Sequence, residues 1–406
     1  MKKLVLGMFC ISVLVFSIGC SKNKAASAVK PEDAKTLSIW TYFSGNEQKI
    51  FQKLVDDFAA QNNITVKAEF LPFGTYKQQL SVAIAGGSLP DIIMIDNPDH
   101  AAFAAMNVFE DISDKIKSWE NASAYFEGPL NSVQYKGKYY GIPLTSNCLA
   151  LFYNVDMLKA ANITPPSTWE ELRAAAKKLT NQNTFGIGVA MPKSEEATFQ
   201  FLPWLIASGG RYDTMDSAES IKAVAFLKEL IDDGSMSKET INWGQGDIQK
   251  QFSVGKLAMF VGGPWMIPQI IEDSKGMKFA VAKVPKDVKY ASVLGGENIG
   301  IVKNKNTELA WKFLQYMGDQ KIMKEFISQT GYFPPRKDVA QDPIWTNDPI
   351  KKVFMEQMQY AMPRGPHPKW PEMSAAIYTA LQEALSGTAS PEQACKQAQQ
   401  VISPLL

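Results

Sequence analysis

Apolar positions change their spacing repeatedly along the chain, and each change marks a switch between strand and helix. Leu37-Ser38-Ile39-Trp40 alternates as a short strand does. Ile50, Phe51, Leu54, Val55 and Phe58 then fall on one face of a helix. Ser44-Gly45-Asn46-Glu47 precedes that helix with the spacing of a capping box, in which serine and glutamate satisfy helix-end donors reciprocally. A strand is expected over 64–70, a helix over 76–85 and a buried strand over 91–95. Residues 139–144 and 149–153 read as extended, Thr168-Trp169-Glu170-Glu171 opens another helix, and 185–189 and 257–261 read as strands. Helices over 218–232, 307–317, 321–329, 350–360, 373–385 and 391–402 complete the pattern. Such alternation predicts an α/β protein with a parallel-type sheet under helical cover. The chain has 406 residues, more than one hydrophobic core serves. Two domains are therefore expected. No fixed-period repeat and no Pro/Ser-rich linker divides the halves, so the chain should cross between the domains through secondary structure, more than once.

The N-terminus has a different pattern. Met1-Lys2-Lys3 leads into an apolar run from Leu4 to Ile18, the form of a secretory signal. The run is shorter than the roughly 20 residues that span a bilayer. It ends Ser17-Ile18-Gly19-Cys20, which resembles a lipobox with Ser17 in place of the usual leucine. Residues 1–19 then form a lipoprotein signal, and 20–36 an acylated Cys20 with a polar, flexible tether. The alternative is a plain signal cut elsewhere with Cys20 incidental; the abrupt polar turn after Cys20 favours the lipid anchor. The expected location is extracytoplasmic, on the membrane surface.

Charge and composition remove several classes. Lys+Arg number 42 against 41 Asp+Glu, with no basic stripe for nucleic acid. Beyond the signal no segment is long and apolar enough to cross a membrane. Past Cys20 only Cys148 and Cys395 remain, and a disulfide or two buried thiols stay equally open. Neither a strand–GxxxxGK–helix phosphate loop nor a GxGxxG fingerprint occurs. The two histidines, His100 and His367, have no metal-ligand spacing or triad context. No cofactor and no metal are expected. A glycosidase-like carboxylate pair stays open on counting alone.

A set of short segments then occurs in order: Ser38-Ile39-Trp40-Thr41-Tyr42, Pro90-Asp91-Ile92-Ile93-Met94, Tyr140-Gly141-Ile142-Pro143, Ala150 to Asn154, Thr168 to Leu172, Gly263-Pro264-Trp265, Gly295 to Asn298 and Pro371 to Ser374. The ordered set resembles the family 1 extracellular solute-binding proteins of sugar importers, from Leu37 to the last helix. The resemblance implies a two-lobed periplasmic-binding-protein-like fold with discontinuous lobes, hinge strands and a central ligand cleft. It implies a first lobe of 37–144 plus 295–335 and a second of 149–290 plus 336–406, with crossings near 145–149, 290–294 and 333–337. It further implies a non-enzymatic monomer that binds a sugar and delivers it to the permease subunits of an ATP-driven importer.

Sugars present apolar C–H faces and a rim of hydroxyls, so a site needs flat aromatics and convergent polar groups. Trp265 follows Gly262-Gly263-Pro264 at a strand end and is the first candidate; packing of its helix onto the sheet is the alternative. Trp40, Tyr42, Ser44 and Glu47 lie at the carboxyl end of the first strand, where ligands collect. Trp40 fits the core as well, and Glu47 can be a cap alone. Asp96 ends a strand and can accept two hydroxyl protons, or cap the next segment. Asn147 takes the place of a glutamate in the maltose-binding branch of the family, and Ile377 that of a tryptophan, so maltose is not assumed. Gly296 and Glu297 lie at a crossing, either touching ligand or forming only a hinge bend. Trp204, with Phe201, belongs to an apolar helical stripe and can be core. Arg364 and Trp370 bound a Pro/Gly loop that suits a rim. Two other readings compete: a surface saccharide hydrolase, and a receptor for a polyamine or phosphate ester.

Overall fold

The computed structural model describes residues 35–406; Cys20 and most of the tether lie outside the described residues. Two α/β bodies enclose a cleft. The first is built on a five-stranded sheet in the order Thr65–Phe70, Thr36–Thr41, Ile92–Asp96, Glu297–Ile301, Ile142–Pro143. The first three strands run parallel, and Glu297–Ile301 pairs antiparallel with both its neighbours. Thr36–Thr41 buries Leu37, Ile39 and Thr41 on one face, as its alternation requires. Ile92–Asp96 is buried throughout, because strands flank it on both sides and helices cover it. The helix Gly45–Asn62 packs Phe51, Leu54 and Phe58 onto the sheet beside Phe313 and Leu314 of the helix Thr307–Met317.

The second body holds a four-stranded sheet in the order Phe279–Ala282, Ala150–Asn154, Leu257–Gly262, Phe185–Gly188. Only the last pair is parallel. The helices Trp169–Leu179, Glu195–Ala207, Ala218–Asp232, Trp370–Ser386 and Pro391–Ile402 bury one large core against it. Thr168 caps its helix, accepting from the Glu171 N–H at 3.2 Å, and Ser390 completes a full capping box with Gln393. Ser44 departs from expectation: the helix starts after it, but its side chain makes no capping bond.

Three connecting segments lie side by side between the bodies. Ser146 and Phe333 exchange backbone hydrogen bonds of 2.8 Å each way, and Asn147 and Gly295 do so at 3.0 and 2.9 Å. Nearby, Ser292–Leu294 pairs in parallel with Ala361–Pro363. Beyond Phe333, Arg336 is buried and donates to the Gly318 carbonyl and Asn121, so this stretch still packs on the first body. Cys148 and Cys395 are buried free thiols, which settles the alternatives in favour of no disulfide. Burial pushes the Cys395 thiol up to about 12. Among the described residues no helix is long and apolar enough to cross a membrane.

Candidate functional site

The cleft has a volume of about 680 Å³ and receives side chains from both bodies. Tyr42 and Ser44 follow the strand Thr36–Thr41, and Asp96 ends the strand Ile92–Asp96. Both therefore sit at the carboxyl ends of parallel strands, where backbone ends and loops leave room for a ligand. Glu297 begins an antiparallel strand and stands opposite Asp96 in register, which carries it to the same end. Gly296, at φ +146°, makes the bend before it; a Cβ there would lie 2.4 Å from the Thr145 carbonyl oxygen. From the second body come Glu195 and Phe199 of the helix Glu195–Ala207, Trp265 after the strand Leu257–Gly262, and Arg364 after Ala361–Pro363.

Arg364 organises the floor. Its guanidinium binds both carboxylate oxygens of Asp96, at 2.8 and 2.7 Å, and Glu195 Oε1 at 2.8 Å. Burial works against its charge, but the Asp96 and Glu195 carboxylates outweigh that and hold its pKa above the ordinary value. Its Cζ also lies 4.5 Å from the centroid of the Phe199 ring. Burial raises Asp96, and the Arg364 charge opposes that rise. Trp370 Nε1 donates to Glu195 Oε1 at 3.1 Å, and the Ser374 hydroxyl donates to Glu195 Oε2, so two residues of one helix fix this carboxylate.

Two further acids face the cleft. Burial pushes Glu297 up to about 8, opposed by a hydrogen bond from the Thr145 hydroxyl and reinforced by the Asp96 and Glu47 charges. Burial likewise pushes the half-buried Glu47 up to about 7, opposed by the Tyr332 hydroxyl and the Ser44 N–H. Trp265 is half-buried, with Tyr332 stacked on it at 6.0 Å and 24° and Phe199 at 6.2 Å. A Cβ on Gly263 would lie 1.9 Å from the Trp265 ring, so that glycine is the seat of the indole.

The structure thus brings Tyr42, Ser44, Glu47, Asp96, Asn147, Trp265, Gly296, Glu297 and Arg364 to one cavity. Four candidates lie elsewhere. Trp40 packs against the small cluster of Tyr76, Leu80 and Ile93 on the other face of its strand. Trp204 is fully buried between Trp169 and Phe226, because its side of the helix faces the core. Gly263 sits beneath Trp265 and does not line the cavity. Trp370 is fully buried and holds Glu195, so it forms no rim. Arg364 lines the cleft but is 4% exposed, a buried ion-pair centre and not the expected rim charge. The sequence reading misses Glu195, Phe199 and Tyr332. An acid pair, Glu195-Glu196, at the head of an otherwise apolar helix is the signal that points to the first of these.

Residues 53–353 match the profile of the bacterial extracellular solute-binding proteins. A solute-binding protein of an ABC transporter from Thermotoga lettingae, solved with α-D-tagatose, superposes with a TM-score of 0.87 at 30% identity, over 91% of this chain and 99% of its own. The maltotriose-binding protein of Pyrococcus abyssi is 26% identical over 81% of this chain and 73% of its own length. The galactooligosaccharide-binding protein of Bacillus subtilis is 22% identical over 98% of this chain and 96% of its own.

Proposed function

Because the chain belongs to the bacterial extracellular solute-binding proteins, we propose that it is a lipid-anchored receptor that binds a sugar or oligosaccharide between two lobes and hands it to the permease of an ATP-driven importer. The observation that carries this reading is the cleft itself, where Trp265, Tyr332, Phe199 and Tyr42 meet six carboxyl groups. Aromatic faces suit the C–H face of a pyranose, and carboxyl oxygens suit its hydroxyls. The relatives named above bind tagatose, maltotriose and galactooligosaccharides, and that consistency supports a saccharide here.

We divide the lobes as 37–144 plus 295–335 and 149–290 plus 336–406, except that Arg336 at the head of the last segment packs on the first body, with ligand contacts from Tyr42, Ser44, Glu47, Asp96, Asn147, Trp265, Gly296 and Glu297. Closure needs a ligand that touches both sides, and the cleft lining draws on both. The protein acts as a monomer and performs no catalysis. A phosphate ester fits poorly beside so many acids. Calorimetric titration of the mature protein with neutral and amino sugars, paired with small-angle scattering, tests the reading. One-to-one binding with compaction is expected; turnover of the sugar, or binding confined to non-sugar solutes, overturns it.

A further inference from the structure

Two of the cations that line or adjoin the cleft are committed to other acids. Arg364 is engaged by Asp96 and Glu195, and Lys77 lies 2.6 Å from Asp99. Lys49 is exposed at the mouth. Among the described residues, no cationic side chain forms a salt bridge with Glu47 or Glu297; their hydrogen-bond partners are the Tyr332 hydroxyl with the Ser44 N–H, and the Thr145 hydroxyl. No group of acids, cysteines and histidines among the described residues is arranged to hold a metal ion. Asn147, 3% exposed, lines the same cavity with its Oδ1 unpartnered, and the Tyr42 hydroxyl is unpartnered too. The chamber is thus rich in acceptors and in acids without a cation in contact, and it is walled by aromatic rings.

A sugar hydroxyl brings no charge, and neither Glu47 nor Glu297 has a cation in direct contact. An ammonium donates three protons, brings the positive charge that favours the ionised form of both acids, and is attracted by aromatic faces. Resting on the receptor reading above, we propose that the natural solute carries a basic nitrogen: an amino sugar or sugar-like amine whose ammonium lies between Glu47 and Glu297 beside the Tyr42 and Tyr332 rings, with its apolar face on Trp265. The elevated pKa values of Glu47 and Glu297 fit a site whose counter-charge arrives with the ligand.

The test titrates the whole mature protein with matched sets: glucosamine, N-acetylglucosamine and glucose; galactosamine and galactose; chitobiose and cellobiose; with spermidine as an amine without a sugar ring. At least one amino sugar should bind about tenfold or more tighter than its neutral and N-acetylated counterparts. Glu297→Gln, and separately Glu47→Gln, should shrink that ratio towards one, with far-UV spectra unchanged. Neutral sugars binding as well as or better than every amino counterpart overturns the amine and leaves the sugar receptor standing. Spermidine binding alone, or no binding by any sugar, overturns both.

Discussion

Arg364 and Asp96 stand 268 residues apart in sequence yet form a two-pronged ion pair, with Nη1 to Oδ2 at 2.8 Å and Nη2 to Oδ1 at 2.7 Å. The pair joins the end of a strand in the first body to the segment after Ala361–Pro363, and Glu195 of the second body shares the same guanidinium. Removing the arginine leaves two buried carboxylates facing each other. Arg364→Met should lower unfolding free energy by about 3–5 kcal/mol. Adding Asp96→Asn should recover part of that loss. Urea denaturation of the three proteins decides it, and a single-variant loss under about 1 kcal/mol would count against the buried network.

Trp265 should dominate affinity. Trp265→Ala removes a stacking face worth about 0.5–1.5 kcal/mol beyond its area, and with the buried area added the loss should reach roughly tenfold to several hundredfold. Gly263→Ala should approach the same loss without touching the indole's chemistry, since its Cβ would occupy the space of the Trp265 ring. Calorimetric titration beside a melting curve separates this from a core role. Unchanged affinity with a large fall in melting temperature would reassign Trp265 to the core.

The two raised acids of the cleft should make the stability of the ligand-free protein fall as pH rises. Glu297 is raised from 4.5 to about 8 and Glu47 to about 7, so the folded state holds protons that the unfolded state has released. Stability from these groups is complete below about pH 4.5 and is lost as pH climbs through their folded values. His100 works the other way, because burial lowers it from 6.5 to about 3, but that gain ends near pH 6.5. Between about 6.5 and 8 the melting temperature of the ligand-free protein should decline. Glu297→Gln should flatten the slope; an identical slope in the variant would exclude Glu297 as its source.

Acylation at Cys20 is checked by mass spectrometry of the mature N-terminus. A diacylglyceryl-modified peptide beginning at Cys20 is expected, and Cys20→Ala should release the protein from the membrane fraction. An unmodified peptide beginning at any other residue excludes the lipobox.

Local pattern was enough for much of the fold. The helices Ala218–Asp232, Thr307–Met317 and Pro391–Ile402 end where their apolar period and flanking residues say they should, with Ser217 and Ser390 capping two of them. Strand ends placed Tyr42, Asp96 and Trp265 beside a cleft for the same reason. What stayed hidden depends on long-range pairing. Asp96 reads as a free acceptor until Arg364 arrives from the far end of the chain. Trp204 and Phe199 share one apolar helix, and spacing alone does not tell which side faces the core and which the cleft. Trp370 looked like a rim residue because prolines precede it, yet it starts a helix and points its indole at Glu195.

The strand Glu297–Ile301 lies between Ile92–Asp96 and Ile142–Pro143, and this fixes an order of events during synthesis. Until residue 301 emerges from the ribosome, the first sheet stops at Ile92–Asp96 with that edge unpaired, and Ile142–Pro143 has no strand to join. Contacts so distant in sequence also slow folding. Export through residues 1–19, as proposed, would require the chain to stay threadable until translocation is under way. Here one late strand withholds the last pairing of the first lobe, so a fragment ending before Gly295 should remain sensitive to protease across 37–144 while the full chain resists.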